Sequence, residues 1–161
     1  MYNKSLFLQE GTEVRLVPSE RIGGKALYVS KDGRCFSFYH ERLRHIKPQA
    51  TNSNINRHNG RRKQKYLCMR SFGHILVHHA VHLAWIGPIP DGCVVDHING
   101  ITTDNRAKNL ETVTPAENRK RAQILRAMRK TAEWDNRPDL LPENRPIEEL
   151  KSIFKKYELV H

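Results

Sequence analysis

Apolar and polar residues alternate over short stretches in the N-terminal half of the chain, which is typical of half-buried strands. Within residues 25–39, two such stretches flank the pair Asp32-Gly33, and glycine accepts the positive φ that a tight turn requires. Residues 66–77 repeat the pattern, so the sequence predicts two hairpins. The segment 49–65 between them is rich in Asn, Arg, Ser and Gly and is predicted to be a loop.

Helical spacing replaces this alternation over residues 77–85, where apolar side chains recur three and four positions apart. The apolar run 93–95 and the alternating residues 110–113 then predict two more strands. The polar segment 100–108 between these strands predicts a turn-rich loop. This part of the chain is therefore expected to contain a helix followed by a strand, a loop and a second strand.

The N-terminal signals of a further helix follow directly after the second of these strands. Thr114 is suited to the N-cap, Pro115 to the first helical position, and Glu117 completes a capping box. We expect the helix to run to about residue 129 or 132. The central order is thus strand, loop, strand, helix.

The last part of the chain is predicted to be a linker and a short helix. Residues 134–146 are rich in Pro, Asp and Asn, and residues 147–157 place apolar side chains on one helical face. The whole pattern predicts an α+β protein, in which a small antiparallel β region precedes the strand–loop–strand–helix module and a helical extension follows it. The predicted bounds of these three regions are 1–75, 76–132 and 133–161.

The net charge of the chain is strongly positive, at +11, and it is unevenly distributed. Between Glu41 and Asp91 there are nine lysines and arginines and no carboxylate, whereas residues 131–161 hold five basic and seven acidic residues. Such a basic block predicts a polyanionic partner, because each phosphate contact releases condensed counterions. A solvated basic surface without a partner is the alternative. The candidate phosphate-binding residues of the loop are Arg57, Arg61, Arg62, Lys63 and Lys65.

Hydropathy predicts no membrane partner. No apolar run approaches the roughly 18 residues that a spanning helix needs, and no long apolar stretch follows the N-terminus. We therefore expect a cytoplasmic protein. Cys35, Cys68 and Cys93 are too far apart for a CxxC pair, and we expect them to be small core residues.

Candidate chemistry is concentrated where Asp96 and His97 follow the predicted strand 93–95. An imidazole titrates near neutral pH and can act as the base for a water nucleophile. The carboxylate of Asp96 and the amide oxygen of Asn118 suit a Mg²⁺-type ion. Neighbouring residues on a strand point to opposite faces, so a shared site requires the strand to end or bulge at His97. A surface pair at a strand end and an Asn on the helix surface are the alternatives.

Three further polar residues have structural interpretations. We expect the Asn109 side chain to bond the backbone of its own loop. His78 and His82 lie four positions apart on a predicted helix, which is a possible zinc spacing. No HExxH pattern accompanies them, so hydrogen bonds that support the core or a loop are the favoured interpretation.

Residues 77–118 resemble the signature of HNH endonucleases, in particular the homing-type nucleases that phages and introns encode. The stretch 28–34 is similar to the short β segment that often precedes this module. The residues that carry the resemblance are Val77-His78, Val95-Asp96-His97-Ile98-Asn99-Gly100, Asp104-Asn105, Asn109-Leu110, Val113-Thr114 and Asn118.

This resemblance implies a ββα-metal fold for the module, with His97 as the general base. It implies that Asp96 and Asn118 hold one Mg²⁺ or Mn²⁺, that Asn109 orders the loop, and that His78 supports the module. The implied reaction is hydrolysis of duplex DNA to a 5′-phosphate and a 3′-hydroxyl, in a bacterial or phage-infected cell. Longer members can carry a separate DNA-reading domain where this chain has only a linker and one helix.

The DNA-contacting residues of the helix are expected to be Arg119, Lys120 and Arg121, near the cut site, with a solvated helix face as the alternative. Whether the protein is a monomer or a homodimer, and whether it nicks or cuts both strands, stays open. The first rival function is a non-cleaving DNA-binding module of the same fold, in regulation or phage packaging. RNA binding is less favoured, because the 7% aromatic content shows no clustered stacking platform.

Overall fold

The structure, a computed structural model, describes residues 5–8, 10–18, 22, 24–40, 42–51 and 65–158. Short antiparallel strands and three α-helices occupy these residues, which confirms the predicted α+β class. The helices are α1 (Val77–Trp85), α2 (Pro115–Trp134) and α3 (Ile147–Glu158). The strands are β1 (Ser5–Phe7), β2 (Glu13–Leu16), β3 (Tyr28–Ser30), β4 (Cys35–Tyr39), β5 (Arg42–Ile46), β6 (Gln49–Ala50), β7 (Leu67–Met69), β8 (Ile75–Leu76), β9 (Val94–His97) and β10 (Leu110–Val113).

The chain divides into two compact units. Unit 1 consists of Met1–Pro88 and Thr102–Ala107, and unit 2 of Ile89–Ile101 and Lys108–His161. The chain thus leaves unit 2 within the β9–β10 loop and returns to it before β10. No helix in the described ranges is long and apolar enough to cross a membrane.

Unit 1 contains a five-stranded antiparallel meander in the order β1-β2-β3-β4-β5. Its core cluster is formed by Val14, Tyr28 and Phe36. Leu6 and Leu43 come from the two edge strands, and both pack against this cluster. The sheet therefore curls so that its two edges share one core. The hairpin predicted within residues 25–39 is confirmed as β3 and β4.

The turn between β3 and β4 holds the segment 102–107 of the same unit. Gly33 has φ +90°, and a Cβ built there would lie 3.1 Å from the carbonyl oxygen of Asn105. The Ala107 N–H also donates to the Lys31 carbonyl at 2.9 Å. Glycine is required at position 33 both by its backbone conformation and by this close approach.

A second, three-stranded sheet in unit 1 has the order β6-β7-β8. The hairpin predicted within residues 66–77 is confirmed as β7 and β8. Strand β6, by contrast, lies in the segment that was predicted to be a loop. Gln49 and Ala50 pair there with Cys68 and Leu67, and this non-local pairing overrides the polar local composition.

Helix α1 has the predicted bounds and packs in unit 1 through a fully buried apolar face that includes Ala80 and Val81. Its last residue joins the helix to the meander, because the Trp85 Nε1–H donates to the Val29 carbonyl at 3.0 Å. The guanidinium of Arg15 stacks on the same ring, with Cζ 4.1 Å from the centroid. Cation–π stacking thus covers the indole on its other side.

Unit 2 contains the antiparallel pair β9–β10 with helices α2 and α3. Its core cluster joins Ile98, directly after β9, to Leu125 of α2 and to Leu150 and Phe154 of α3. The short C-terminal helix therefore packs against the segment that follows the catalytic candidates. The linker before it contains two 3₁₀ turns.

Candidate active site on the β9–β10–α2 module

Strands β9 and β10 place the two sequence candidates at adjacent positions. Asp96 pairs with Glu111 and His97 with Leu110, and β9 ends at His97. The expectation that the strand ends there therefore matches the structure. Strand alternation puts Asp96 and His97 on opposite faces, and His97 is on the buried face, where it is only 4% exposed.

A reciprocal pair of amides closes the loop after His97. The Asn109 side chain accepts from the Asn99 backbone N–H at 3.0 Å, and its Nδ2 donates to Asn99 Oδ1 at 3.0 Å. Asn99 Oδ1 also accepts from the Ile101 N–H at 2.9 Å. Asn109 is fully buried and Asn99 is 3% exposed, so these bonds replace water completely. The two ends of the β9–β10 loop are thereby locked together beside His97.

The turn that follows is fixed from two sides. The Gly100 N–H donates to the His97 carbonyl at 2.7 Å, and Gly100 has φ +70°. This conformation favours glycine, and a Cβ at this position, 2.9 Å from Leu125 Cδ1, would also require that side chain to shift. On the other side, Arg129 donates from Nη2 to the Asn99 carbonyl at 3.2 Å. The position of the His97 backbone therefore depends on α2.

The start of α2 has the predicted capping box. Glu117 accepts from the Thr114 N–H at 2.7 Å, and Thr114 Oγ1 accepts from the Glu117 N–H at 3.2 Å. The bond from Thr114 lowers the pKa of Glu117. Asn118 follows in the first turn, half-buried, and its N–H donates to the Thr114 carbonyl at 2.9 Å. The capping box thus fixes the turn that carries Asn118.

The carboxylate of Asp96 is largely buried. Its Oδ2 is buried and has no hydrogen-bond partner, and the nearest cation is Arg121, with Nη1 at 3.8 Å. Burial raises the pKa of the Asp96 carboxyl to about 6, although Arg121 acts in the opposite direction. A carboxylate in this state has a strong energetic preference for a cation at its orphaned oxygen.

Arg121 is not the DNA-contacting residue that the sequence predicted. Its side chain is buried, and Nη1 lies 3.0 Å from Glu111 Oε2 as well as 3.8 Å from Asp96. The ring of Phe154 covers the guanidinium, with Cζ 5.0 Å from the centroid. Nor does Arg121 belong to a solvated helix face, because its i+4 neighbour Leu125 is in the core. Arg119 and Lys120 are exposed, as phosphate contacts require.

The residues of this site fit a hard divalent cation. Asp96 offers a buried oxygen without a donor, and Asn118 lies three residues before Arg121, whose side chain comes within 3.8 Å of that oxygen. Among the described residues, no group of three or more His, Cys, Asp or Glu side chains is close enough to hold a metal. One carboxylate and one amide would leave positions for water and a substrate phosphate, as Mg²⁺ prefers.

The remaining candidates lie elsewhere. His78 is buried in α1 of unit 1, with its ring centroid 5.2 Å from that of Tyr66. His82 Nδ1 lies 3.0 Å from the Gly87 carbonyl, a bond that supports the end of α1 rather than a metal. Lys65 is exposed in unit 1. The candidates outside the described residues are Arg57, Arg61, Arg62 and Lys63.

Two contributors to the site were not anticipated. Asn99 belongs to the motif that carries the family resemblance, but its hydrogen bond with Asn109 was not predicted. The two amides meet only when β9 and β10 pair in register. Arg121 has a signal that was available in the sequence. It lies four residues before Leu125 and eleven before the buried Ala132, so it belongs to the apolar stripe of α2.

Comparison with known proteins agrees with the geometry of the module. Residues 76–120 match the family model described as HNH endonuclease. No curated protein matches the chain significantly. A solved structure on DNA binding and cleavage by the HNH homing endonuclease I-HmuI is similar at 21% sequence identity and a TM-score of 0.42. That match covers 71% of this chain and 66% of the other, a little under two thirds of its length. Residues 76–120 are therefore similar to HNH endonucleases, in agreement with the resemblance seen in the sequence.

Proposed function

We propose that this protein is a metal-dependent endonuclease that hydrolyses phosphodiester bonds of duplex DNA with a ββα-metal module. The observation that carries the proposal is the buried Asp96 oxygen without a hydrogen-bond donor, which lies directly before His97 in β9 and close to Arg121 of α2, the helix whose first turn carries Asn118. The HNH family match over residues 76–120 supports the same reaction class.

In the proposed mechanism, His97 accepts a proton from the attacking water. The locked loop of Asn99 and Asn109 holds the histidine backbone in place, so little reorganisation is needed during the reaction. Asp96 and Asn118 would hold one Mg²⁺ or Mn²⁺. When bound, the ion supplies Lewis acidity at the phosphate and the departing 3′-oxygen. The N-terminus of α2 adds a favourable dipole for the phosphate group.

Cleavage is tested with supercoiled plasmid and purified protein, in Mg²⁺, Mn²⁺ or EDTA. We expect relaxed or linear DNA with either ion and none with EDTA. His97→Ala should lower the rate by about 100- to 10,000-fold, the usual contribution of a general base. Relaxed product alone indicates nicking by a single site, and early linear product indicates a dimer. Tight DNA binding without product in any condition would contradict the nuclease and favour the non-cleaving module.

Metal binding is tested separately by thermal unfolding, which does not depend on activity. In metal-free buffer at pH 7, Asp96→Asn should stabilise the protein by about 1–2 kcal/mol, because an amide is easier to bury than a carboxylate. Added Mg²⁺ should raise the melting temperature of the parent, because it binds the folded state. It should not raise that of Asp96→Asn. Equal shifts in both proteins would show that Asp96 is not a ligand.

A further inference from the structure

The hairpin of β4 and β5 carries arginine and aromatic side chains on one exposed face. Tyr39 pairs with Arg42, and Ser37 pairs with Arg44, so strand alternation puts Tyr39, Arg42 and Arg44 on the same side. The Arg44 guanidinium lies over the tyrosine ring, with Cζ 4.9 Å from the centroid. This stacking orders a side chain that would otherwise be free to move.

The opposite face of the hairpin presents a second ring. Phe38 pairs with Leu43, and its ring packs edge-on against buried Tyr28, with the centroids 5.6 Å apart. Phe38 is nevertheless 46% exposed, and Tyr39 is 56% exposed. Two aromatic rings are thus held in place by the sheet while a large part of each surface faces solvent. Aromatic rings that are fixed in place and exposed are typical of binding surfaces.

The charge environment separates these arginines from many others in the protein. Arg15, Arg34, Arg106, Arg121, Arg129, Arg137 and Arg145 each form an ion pair with a carboxylate. Among the described residues, no carboxylate lies within 4 Å of Arg42 or Arg44. Glu41 in the connecting turn is outside the described residues, and the sequence has no further carboxylate before Asp91. Within the part of the chain that the structure describes, both guanidinium groups are therefore without a carboxylate partner.

We propose that the β4–β5 hairpin is a DNA-contacting ribbon, separate from the cleavage module, which grips the duplex through Arg42 and Arg44. This inference rests on the proposed function. The major groove of B-DNA admits a two-stranded β-ribbon, and guanidinium groups bind phosphate oxygens with two parallel bonds. Stacking on Tyr39 lowers the entropic cost of fixing Arg44 on a phosphate. Phe38, on the other face, supplies an apolar contact for sugar or base edges.

Binding is measured by fluorescence anisotropy on a duplex, in the His97→Ala background so that the DNA stays intact, at several salt concentrations. Arg42→Gln and Arg44→Gln should each weaken binding by about 3- to 10-fold and reduce the salt slope by about one. Tyr39→Leu should weaken binding by a smaller factor without changing the slope, because it removes the platform and no charge. Lys155→Gln, an exposed charge on α3, is the control and should bind like the parent.

The outcomes separate this inference from the proposed function. Hairpin variants that bind duplex DNA like Lys155→Gln would overturn the ribbon while leaving the nuclease intact if the parent still cleaves plasmid. Preference for a single-stranded oligonucleotide, lost in Tyr39→Leu, would replace the ribbon with a stacking surface. Failure of the His97→Ala parent to bind any DNA, together with no cleavage by the wild type, would overturn both proposals.

Discussion

Arg121 on α2 and Arg44 on β5 show two opposite uses of the same side chain. Arg121 is 9% exposed, is bonded to Glu111 and lies under the ring of Phe154. Arg44 is exposed and touches only an aromatic neighbour among the described contacts. The charge of Arg121 therefore supports the candidate site in unit 2, whereas the charge of Arg44 lies on the surface of unit 1. The two arginines are therefore not equivalent as candidate DNA contacts, because one is buried and the other is exposed.

The comparison predicts a large difference in stability between two matched variants. Arg121→Met should destabilise the protein by about 2–3 kcal/mol, because removing one partner leaves buried carboxylate charge uncompensated. Arg44→Met should change stability by less than about 0.5 kcal/mol, as is usual for exposed positions. Urea unfolding of both variants at pH 7 measures the difference.

The same two variants, Arg121→Met and Arg44→Met, are also compared by their binding to duplex DNA. Arg44→Met should then have the larger effect, provided that Arg121→Met is assayed below its unfolding transition. Similar losses of stability in both variants would show that the burial of Arg121 is not what distinguishes the two sites.

A smaller difference is expected for two side-chain hydrogen bonds. Asn109→Ala removes two buried hydrogen bonds, one from the Asn99 N–H and one to Asn99 Oδ1, which should cost about 2 kcal/mol. In unit 1, Ser37→Ala removes an exposed bond to the Ala26 carbonyl, and water can replace it at a cost below about 0.5 kcal/mol. Chemical denaturation checks both values. A cost for Asn109→Ala as low as that for Ser37→Ala would mean that the loop is not locked by this pair.

Local signals explain what the sequence predicted well. The Asp32-Gly33 turn and the capping box of Thr114 and Glu117 depend on neighbouring residues, and both are present in the structure. The meander was not predicted in detail, because Leu6 and Leu43 reach the same core cluster only through the pairing of five strands. Such non-local pairing has no signature at short range.

The candidate site shows the same division. Asp96 and His97 could be proposed as site residues because a compact motif contains them. The end of β9 at His97 follows from the strand pattern. The contacts that support them join residues far apart in sequence, as when Phe154 of α3 covers Arg121. Helical periodicity places Arg121 on the buried stripe of α2. Its burial could therefore be predicted from the sequence, whereas its partners could not.

His82, a buried histidine of unit 1, tests how far the contrast between the units extends. Burial lowers the pKa of His82 below 6.5, although the bond to the Gly87 carbonyl acts in the opposite direction. The unfolded chain therefore binds a proton more readily than the folded one. The stability from a neutral His82 is complete above pH 6.5, falls as the pH drops below that value, and is fully lost below the folded-state pKa.

His82→Asn isolates this contribution, because the amide can still donate to the Gly87 carbonyl but does not titrate. Between pH 7.5 and 5, the parent should lose more stability than the variant, as measured by urea unfolding at each pH.

Asp96 titrates in the same window with the opposite sign, because its raised pKa makes ionisation unfavourable in the folded state, so only the difference between the two proteins is informative. His45→Asn, at an exposed position of β5, is the control and should follow the parent curve. If His82→Asn follows the parent curve as well, ionisation of His82 does not affect stability. If the curves separate, protonation of His82 opposes folding in unit 1. The contrast between the two units is then limited to their arginines, Arg121 and Arg44.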